Sequence, residues 1–429
     1  MKGDFTRHTF DPRKQYSRVL LQQGRVHLDA DFNEQAAILL HYLRMLSVDL
    51  MGEHWGVGES FQISSGNRLD FLIRPGHYYV NGILCEFDAP RPRAYTEQPE
   101  YPHPTRLKER QSYVVYLDVW ERHVTHIEDP SIREAALGGP DTATRAKVVW
   151  QVKVLPWMGQ AGEDETRHLT MLLSSRGTAR LRARAGPQRT PEDPSIMTPE
   201  PGYRGAENQL YRVEAHTGGP VGQATFKWSR DNGSVVFPIR EVKGKVVTLE
   251  HLGRSTRFGL AVGDWVEIVD DDYVLMESAE PLLRVEAIDP IGLVTLSHPP
   301  ASTAGQRPAD HPLIRRWDHK PTPNARGPYP QGGVLPIREG EWLDLEVGVQ
   351  ILFETGGNYR TGDYWTIPAR TATGDVEWPG PTDDPDAAEP HGVVHAYAPL
   401  AVISIDEHGN VNVDEDCRRT FGLSVGTGR

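Results

Sequence analysis

The sequence predicts a mainly β protein with one N-terminal α-helix and several small β-sandwich or β-barrel domains in series. Along most of the 429 residues, short apolar runs alternate with polar residues at period two and end in turns rich in Gly and Pro. Only one stretch, near the start, carries apolar residues at the spacing of a long helix. At about 100–200 residues per domain, the length predicts two to four compact units.

The predicted helix begins after Asp31 and ends at Gly52. Asp31 fits the N-cap, Glu34 fits the third position of a capping box, and Gly52 fits the residue that stops a helix. Apolar residues recur along it at alternating spacings of four and three, which is the spacing of a coiled-coil seam. This ridge consists of Phe32, Ala36, Leu39, Leu43, Leu46 and Leu50.

Two interpretations of the ridge remain open at the level of sequence. The helix packs on its own β domain, or it packs against copies of itself or against another protein. The ridge is only about three heptads long, which is too short to hold an oligomer without further contacts. We take the six ridge residues as the predicted assembly interface.

The division of the chain into domains follows shifts in composition and turn frequency. Hairpin turns such as Asn81–Gly82 mark the β regions, and stretches rich in Pro and Gly mark linkers. The predicted units are an N-terminal attachment segment (1–58), a first β domain (59–158), a linker-rich segment (159–205), a second β domain (206–300, with 244–299 forming a small barrel) and a loop-rich C-terminal β region (301–429).

Charge and cysteine content exclude several classes of partner. The formal net charge of −13 gives no general attraction to nucleic acid or to anionic lipid. Cys85 and Cys417 are too few for a disulfide framework or a structural zinc site. The start lacks the apolar segment of a secretory signal, and no apolar run is long enough to cross a bilayer. We therefore expect synthesis in the cytoplasm without a signal peptide and no membrane insertion.

Candidate catalytic and metal-binding motifs are better explained as turns. Ser229, Asp231 and Ser234 fall at the tip of a predicted hairpin, and the run Asp270–Tyr273 lacks the ligand spacing of a calcium loop. The histidine pair His391 and His395 has no accompanying zinc motif. The sequence predicts no catalytic residue, no metal site and no cofactor.

Long phrases of the chain resemble a bacterial family of unknown biochemical role. The genes of that family tend to lie in clusters for phage-tail-like contractile injection systems. The resemblance covers most of the chain and is carried by "MKGDFTRHTFDPRKQYSRVLLQQGRVHLDADFNEQ", "IEDPSIREAALGGPDTATR", "ENQLYRVEAHTGG", "FKWSRDNGSVVFPI", "FGLAVGDWVEIVDDDY" and "GDYWTIPAR".

The N-terminal segment is also similar to a module of contractile-phage baseplate and tail-fibre proteins that precedes a helix at the point of attachment. The matching positions are Phe10, Lys14, Tyr16, Val19, Leu20, Gly24, Asn33 and Glu34; the phage form commonly has Pro-Gly at Gln23–Gly24. The resemblance implies a non-enzymatic protein attached to other baseplate or tail proteins, in a cytoplasmic or released particle. It also implies a homo-oligomer, with a trimer favoured.

Two alternatives remain. The β domains recognise a glycan or a cell-surface receptor, with Trp228, Trp265, Trp317, Trp365 and Trp378 including exposed stacking platforms. Alternatively, the chain is a carbohydrate hydrolase associated with the particle, which requires two carboxylates converging in a cleft.

Overall fold

A computed structural model describes residues 1–137, 142–157, 177–186, 202–253, 258–320 and 330–421, together with Leu169 and Leu173. It confirms the predicted fold class, because the chain is mainly β with several sheets and a six-stranded barrel in series. Most of the predicted linker at 159–205 and the last eight residues lie outside the described residues. No described helix combines the length and the apolar character needed to cross a membrane.

The N-terminal helix α1 (Asp29–Met51) begins three residues earlier than predicted. Asp31 is therefore not the N-cap residue; it lies inside the first turn, and its carboxylate accepts a hydrogen bond from the Leu28 amide at 3.2 Å. The predicted end is confirmed, since the Gly52 amide donates to the Val48 carbonyl at 2.8 Å and Gly52 has a positive φ of 94°.

The first module combines strands from both ends of the described chain. Its sheets have the orders β27-β1-β4-β5, β2-β3-β6 and β26-β25-β7-β8. The strands are β1 (His54–Val57), β2 (Ile63–Ser65), β3 (Phe71–Ile73), β4 (Gly76–Val80), β5 (Ile83–Phe87), β6 (Arg93–Ala94), β7 (Ser112–Val124), β8 (Arg145–Pro156), β25 (Ala396–Ile405), β26 (Val411–Asp416) and β27 (Thr420–Phe421).

Strand β25 shows that this module is discontinuous in sequence. It pairs with β7 along eight registered positions, and buried residues on both strands share one core. The predicted boundaries assign these two strands to the units 59–158 and 301–429, whereas strand pairing joins them. Sequence patterning could not reveal this, because a strand's period of two says which face is buried but does not identify its neighbour.

The sandwich is also discontinuous in sequence, because its strands come from residues 181–229 and 335–376, before and after the barrel strands. Sheets β19-β12-β10-β23-β24 and β20-β21-β9 face each other across one apolar core, and β11 pairs with β22 beside them. The strands are β9 (Leu181–Ala185), β10 (Gln209–Thr217), β11 (Gly219–Pro220), β12 (Thr225–Ser229), β19 (Leu335–Pro336), β20 (Trp342–Asp344), β21 (Val349–Phe353), β22 (Asn358–Tyr359), β23 (Tyr364–Arg370) and β24 (Asp375–Val376).

The barrel closes in the order β13-β14-β17-β16-β15-β18. The predicted small barrel at 244–299 holds four of these strands, and closure also takes the flanking strands β13 and β18. A short helix, α2 (Asp271–Leu275), follows β15. The strands are β13 (Val236–Lys243), β14 (Val246–Leu249), β15 (Trp265–Val269), β16 (Leu283–Ile288), β17 (Leu293–Leu296) and β18 (Leu313–Trp317).

A buried charge network connects the sandwich to the barrel. Lys227 on β12 lies 2.6 Å from Glu267 on β15, and both side chains are almost fully buried. Lys227 also approaches Glu214, which pairs with Arg212 at 2.6 Å and with Lys2 at 3.0 Å. Burial alone would raise the pKa of Glu267, but Lys227 and then Lys2 lower it to about 2. The network holds the start of the chain at the junction of the two modules.

We expect Leu400→Ala, on β25, to lower the free energy of unfolding of the first module by about 2–5 kcal/mol, because Leu400 is fully buried in its core. Hydrogen exchange should show lost protection in β7 and retained protection in the barrel. Val413→Ala on β26 is the control; it removes a partly exposed side chain and should cost under about 0.5 kcal/mol. Unchanged exchange in β7 would show that β25 and β7 do not form one cooperative unit.

Candidate functional site

Helix α1 contacts the rest of the protein through a side that carries both polar and apolar residues. Arg44 forms an ion pair with Glu121 of β7 at 2.9 Å. Ser47 accepts a hydrogen bond from the Trp55 indole at 3.2 Å. Of the 23 residues of α1, only Ala30 and Ile38 are buried. The helix is therefore held to the rest of the protein by a few polar contacts and by the buried side chains of Ala30 and Ile38, and not by its apolar ridge.

The turn Asn81–Gly82 fixes the distance between α1 and the first module. Gly82 has a positive φ of 72°, and a Cβ added there would lie 2.6 Å from the Cα and the carbonyl oxygen of Arg44. The absence of a side chain therefore lets the helix backbone approach the turn directly. This contact places the side of α1 that carries Arg44 against β4 and β5, which the turn joins.

The six predicted ridge residues all lie on the exposed side of α1. Their neighbours Leu40, Tyr42 and Met45 are exposed as well, which widens the apolar surface on this side. Relative exposures are 57% for Phe32, 54% for Leu39, 62% for Leu43, 57% for Leu46 and 72% for Leu50, and Ala36 is also exposed. Within the part of the chain that the structure describes, the β modules do not cover the ridge.

Charged side chains are nearly absent from this exposed side. From Phe32 to Leu50, Asp49 is the one charged residue in the exposed class, whereas Glu34 and Arg44 are half-buried on the opposite side. An amphipathic helix on a soluble domain ordinarily has the reverse arrangement. The exposed side of α1 therefore forms an apolar surface with little charge.

Residues 15–28, which we call the arm, precede α1 as an extended and exposed segment. The arm reverses direction at Gly24, where φ is 69° and an added Cβ would meet no atom within 4 Å. Its contact with α1 includes a hydrogen bond of 2.8 Å from the Val19 amide to the Gln35 side chain. Tyr16, Leu20 and further apolar residues are exposed along it. The arm therefore adds to the apolar surface of the ridge.

The structure brings the eight attachment-motif residues into one region around the arm and the first turns of α1. Phe10 lies with its ring 5.7 Å from that of His41, and Glu34 accepts a hydrogen bond from Thr9 at 2.6 Å. Phe10, Val19 and Glu34 are half-buried, and the exposed positions are Lys14, Tyr16, Leu20, Gly24 and Asn33. Half-buried positions fix the arm to the helix, while the exposed ones are free to contact another protein.

The hairpin tip around Ser229 has a structural role, in agreement with the predicted turn. Ser229 is fully buried, donates to Asp318 at 3.1 Å and accepts from the amides of Asp231 and Gly233. Burial and the nearby Asp318 carboxylate raise the pKa of Asp231 to about 6. Ser229 closes a turn in this arrangement, and its hydroxyl does not face solvent.

The acidic run at Asp270 forms the start of α2, where sequence had predicted a solvated turn. The Asp270 carboxylate accepts from the Tyr273 amide at 2.9 Å and so caps the helix. Asp271 pairs with Arg122 at 2.7 Å, and Asp272 pairs with Arg307. Among the described residues, no group of three His, Cys, Asp or Glu side chains is placed to hold a metal ion.

The tryptophans proposed as glycan platforms are mostly inside the protein. Trp228, Trp317 and Trp365 are at most 4% exposed. Trp265 and Trp378 are half-buried; a Cβ added at Gly333 would lie 2.6 Å from the Trp265 ring, and the Trp378 indole donates to a backbone carbonyl. Three of the five rings are therefore not available for stacking on a ligand.

An open cleft of about 440 Å³ lies where the sandwich meets the segment after α2. Among the described residues that line it, only Glu277 carries a carboxylate, and none is tryptophan. Hydrolysis of a glycosidic bond needs a second convergent carboxylate. The residues that line the cleft are Gly177, Gly218, Gly219, Met276, Glu277, Asn358, Tyr359, Arg360 and Thr361.

His395 connects all three modules at the edge of this cleft, and sequence analysis missed its role. Its Nδ1 lies 2.6 Å from Asp118 of β7, and its Nε2 lies 2.8 Å from Glu277. Two carboxylates can only accept, so both ring nitrogens donate and the imidazole is charged. Lys153 binds Asp118 at 2.6 Å, and Arg360 binds Glu277 at 3.1 Å. An aspartate within the apolar run of β7 was the available sequence signal.

Two opposing effects set the pKa of His395. Burial lowers it, but the hydrogen bonds with Asp118 and Glu277 and the charges of these carboxylates raise it to about 9. The rings of Trp120 and Tyr397 lie 4.8 and 6.0 Å away and shield the charged imidazole from water. Because the pKa of His395 in the folded protein lies above its ordinary value of 6.5, protonation of His395 stabilises the fold.

A family model described as a family of unknown function (DUF6519) matches residues 1–164 and 158–423. The match spans almost the whole chain, and the chain belongs to this family. No curated protein and no solved structure matches it.

We expect the two sides of α1 to respond oppositely to substitution. Ile38→Ala empties a buried position on the inner side and should lower the free energy of unfolding by about 2–4 kcal/mol. Leu43→Glu changes an exposed position and should alter the stability of the isolated chain by under about 0.5 kcal/mol. Urea unfolding at low protein concentration measures both. A large loss in Leu43→Glu under these conditions would show that the ridge is covered within the monomer.

We expect the free energy of unfolding to fall as the pH rises from about 6.5 to about 9. Below the pKa that His395 has in the unfolded chain, the charged imidazole contributes its full stabilisation. This contribution is lost as the pH rises through the pKa of His395 in the folded protein. The difference in unfolding free energy should reach about 3 kcal/mol at most. Thermal unfolding across this pH range measures it. His395→Gln should remove this part of the slope, whereas His408→Gln, at an exposed histidine, should retain it.

Proposed function

We propose that this member of the family is a non-enzymatic structural component of a phage-tail-like contractile injection particle. It is mounted on baseplate or tail proteins through the arm and α1, and its β modules extend away from the mount. The observation that carries the proposal is the exposed ridge: α1 contacts the body of the protein through a mixed side on which Ala30 and Ile38 are buried, and its apolar ridge faces outward.

The distribution of exposed apolar residues supports a mount at this place. Among the described residues, 13 of the 24 large hydrophobic side chains that are exposed fall within residues 16–50, so over half of the exposed apolar surface residues come from 35 positions. Scattered exposed residues need no explanation, but a contiguous apolar surface of this kind is typical of protein–protein contacts.

The anchoring of the segment before the arm supports a mount that transmits position. Asn232 binds the Gly3 carbonyl at 2.9 Å, and Lys2 pairs with the buried Glu214. Thr6 then donates to Asp29 at 2.5 Å in the first turn of α1. The segment before the arm is thus fixed to the junction of the sandwich and the barrel, and through Thr6 it is also fixed to the start of α1, directly after the arm.

The choice of particle comes from the resemblance of the N-terminal motif to phage baseplate and tail-fibre attachment modules. Its exposed positions, including Tyr16 and Leu20, lie beside the ridge and extend the same apolar surface. The net charge of −13 is consistent with a protein partner and gives no attraction to nucleic acid. Neither the tryptophans nor the cleft gives an observation that favours glycan binding or hydrolysis.

We expect the protein to be retained on contractile particles purified from the cells that produce it, and to be lost from them in the variant Leu39→Glu/Leu43→Glu/Leu46→Glu. Three charges cannot be buried in an apolar contact without a large desolvation cost. Particle content is measured by quantitative mass spectrometry, and the position by electron microscopy.

The matched control is Val221→Glu/Val262→Glu/Ile291→Glu, which adds the same charges at exposed apolar positions outside the mount. It should stay on the particles. Absence of the wild-type protein from purified particles, or equal retention of the two triple variants, would overturn the proposed function.

A further inference from the structure

The ridge has the geometry of a surface that is matched by another helix. Its residues are spaced by four, three, four, three and four positions, so the ridge can face a partner helix along its whole length. That length is about 27 Å from Phe32 to Leu50. A flat sheet or an irregular loop offers no set of holes at that repeat. Among the described residues, α1 is the one helix longer than five residues, so this chain itself supplies a matching partner in a second copy.

The residues that flank the ridge favour identical copies. In coiled coils the flanking positions select the partner by charge. Here they are Asn33, Leu40 and Ser47 on one side and Gln35, Tyr42 and Asp49 on the other, so that only Asp49 is charged. Identical helices would meet almost no like-charge repulsion, and no pattern of charge selects a different helix.

The width of the apolar face sets the number of copies. Two helices cover only the ridge itself, whereas Leu40 and Tyr42 are exposed on opposite flanks. Burial of both flanks needs a neighbour on each side, which a bundle of three or more helices provides. Equivalent copies around a closed axis run parallel. The body of the protein lies on the opposite side of α1, where Arg44 contacts Glu121, and so remains outside the bundle.

We propose that α1 packs through the ridge and its flanks against α1 of at least two further copies of this chain, in a parallel bundle. The proposal rests on the proposed function and deepens it: the ridge joins the copies, and the arms of the joined copies contact the particle together.

The test is the mass of the full chain in solution, measured by light scattering and sedimentation over a range of concentrations. The chain has a mass of 48.0 kDa, and we expect at least three times that value. Leu39→Glu/Leu43→Glu/Leu46→Glu should give the monomer mass, and Val221→Glu/Val262→Glu/Ile291→Glu should keep the wild-type mass. A wild-type monomer or dimer at all concentrations would overturn the proposal.

Cysteine cross-linking tests the orientation. In a Cys417→Ser background, in which Cys85 is buried, Phe32→Cys and Leu50→Cys should each form disulfides between copies, because parallel helices place equal positions side by side. Failure of both positions to cross-link in an assembled protein would overturn the parallel bundle.

An arm variant separates this proposal from the proposed function. Leu20→Ser/Leu21→Ser changes exposed arm residues and should keep the oligomer mass while reducing retention on particles. Loss of the oligomer in this variant would show that the ridge does not carry self-association. An intact oligomer that never occurs on particles would overturn the proposed function alone, and a monomer found on particles would overturn self-association alone.

Discussion

The ion pair between Lys227 and Glu267 is the constraint on which the arrangement of the modules depends. One partner belongs to the sandwich and the other to the barrel, and neither side chain reaches water. Each charge would be strongly destabilising without the other, so the two modules have one favourable relative placement. Glu214 extends the network to Lys2, and the start of the chain is thereby held where the sandwich and barrel meet. The orientation of the arm and of α1 follows from this fixed origin.

Helix α1 exposes the apolar ridge that a helix on a soluble domain usually buries. Few interactions hold it to the first module: one ion pair, a few hydrogen bonds and the buried Ile38. The module thus positions the helix without covering its apolar ridge. One element thus combines a defined position with an uncovered hydrophobic surface.

The sequence predicted the helix and the individual strands better than it predicted which strands pair with each other. The ridge was visible in the spacing of leucines, and the end of α1 was visible in Gly52, because both depend on local geometry. The prediction of Asp31 as the N-cap was wrong. The carboxylates of Asp29 and Asp31 both suit the first turn of a helix, and only the tertiary contact of Asp29 with Thr6 shows where the helix begins. The pairing of β25 with β7 and the contact of His395 with Asp118 join residues over 270 positions apart, which no local pattern encodes.

The pairing of β25 with β7 also governs the order in which the protein is completed on the ribosome. Strand β25 lies inside its sheet, with β26 on one side and β7 on the other, and its buried residues complete the first core. The barrel and most of the sandwich are synthesised before these residues emerge. The module that holds α1 is therefore the last to mature, although its first strands are made early. Nascent chains lack the complete core of the module that holds α1, so the assembly that we propose through α1 would follow only when translation is nearly finished.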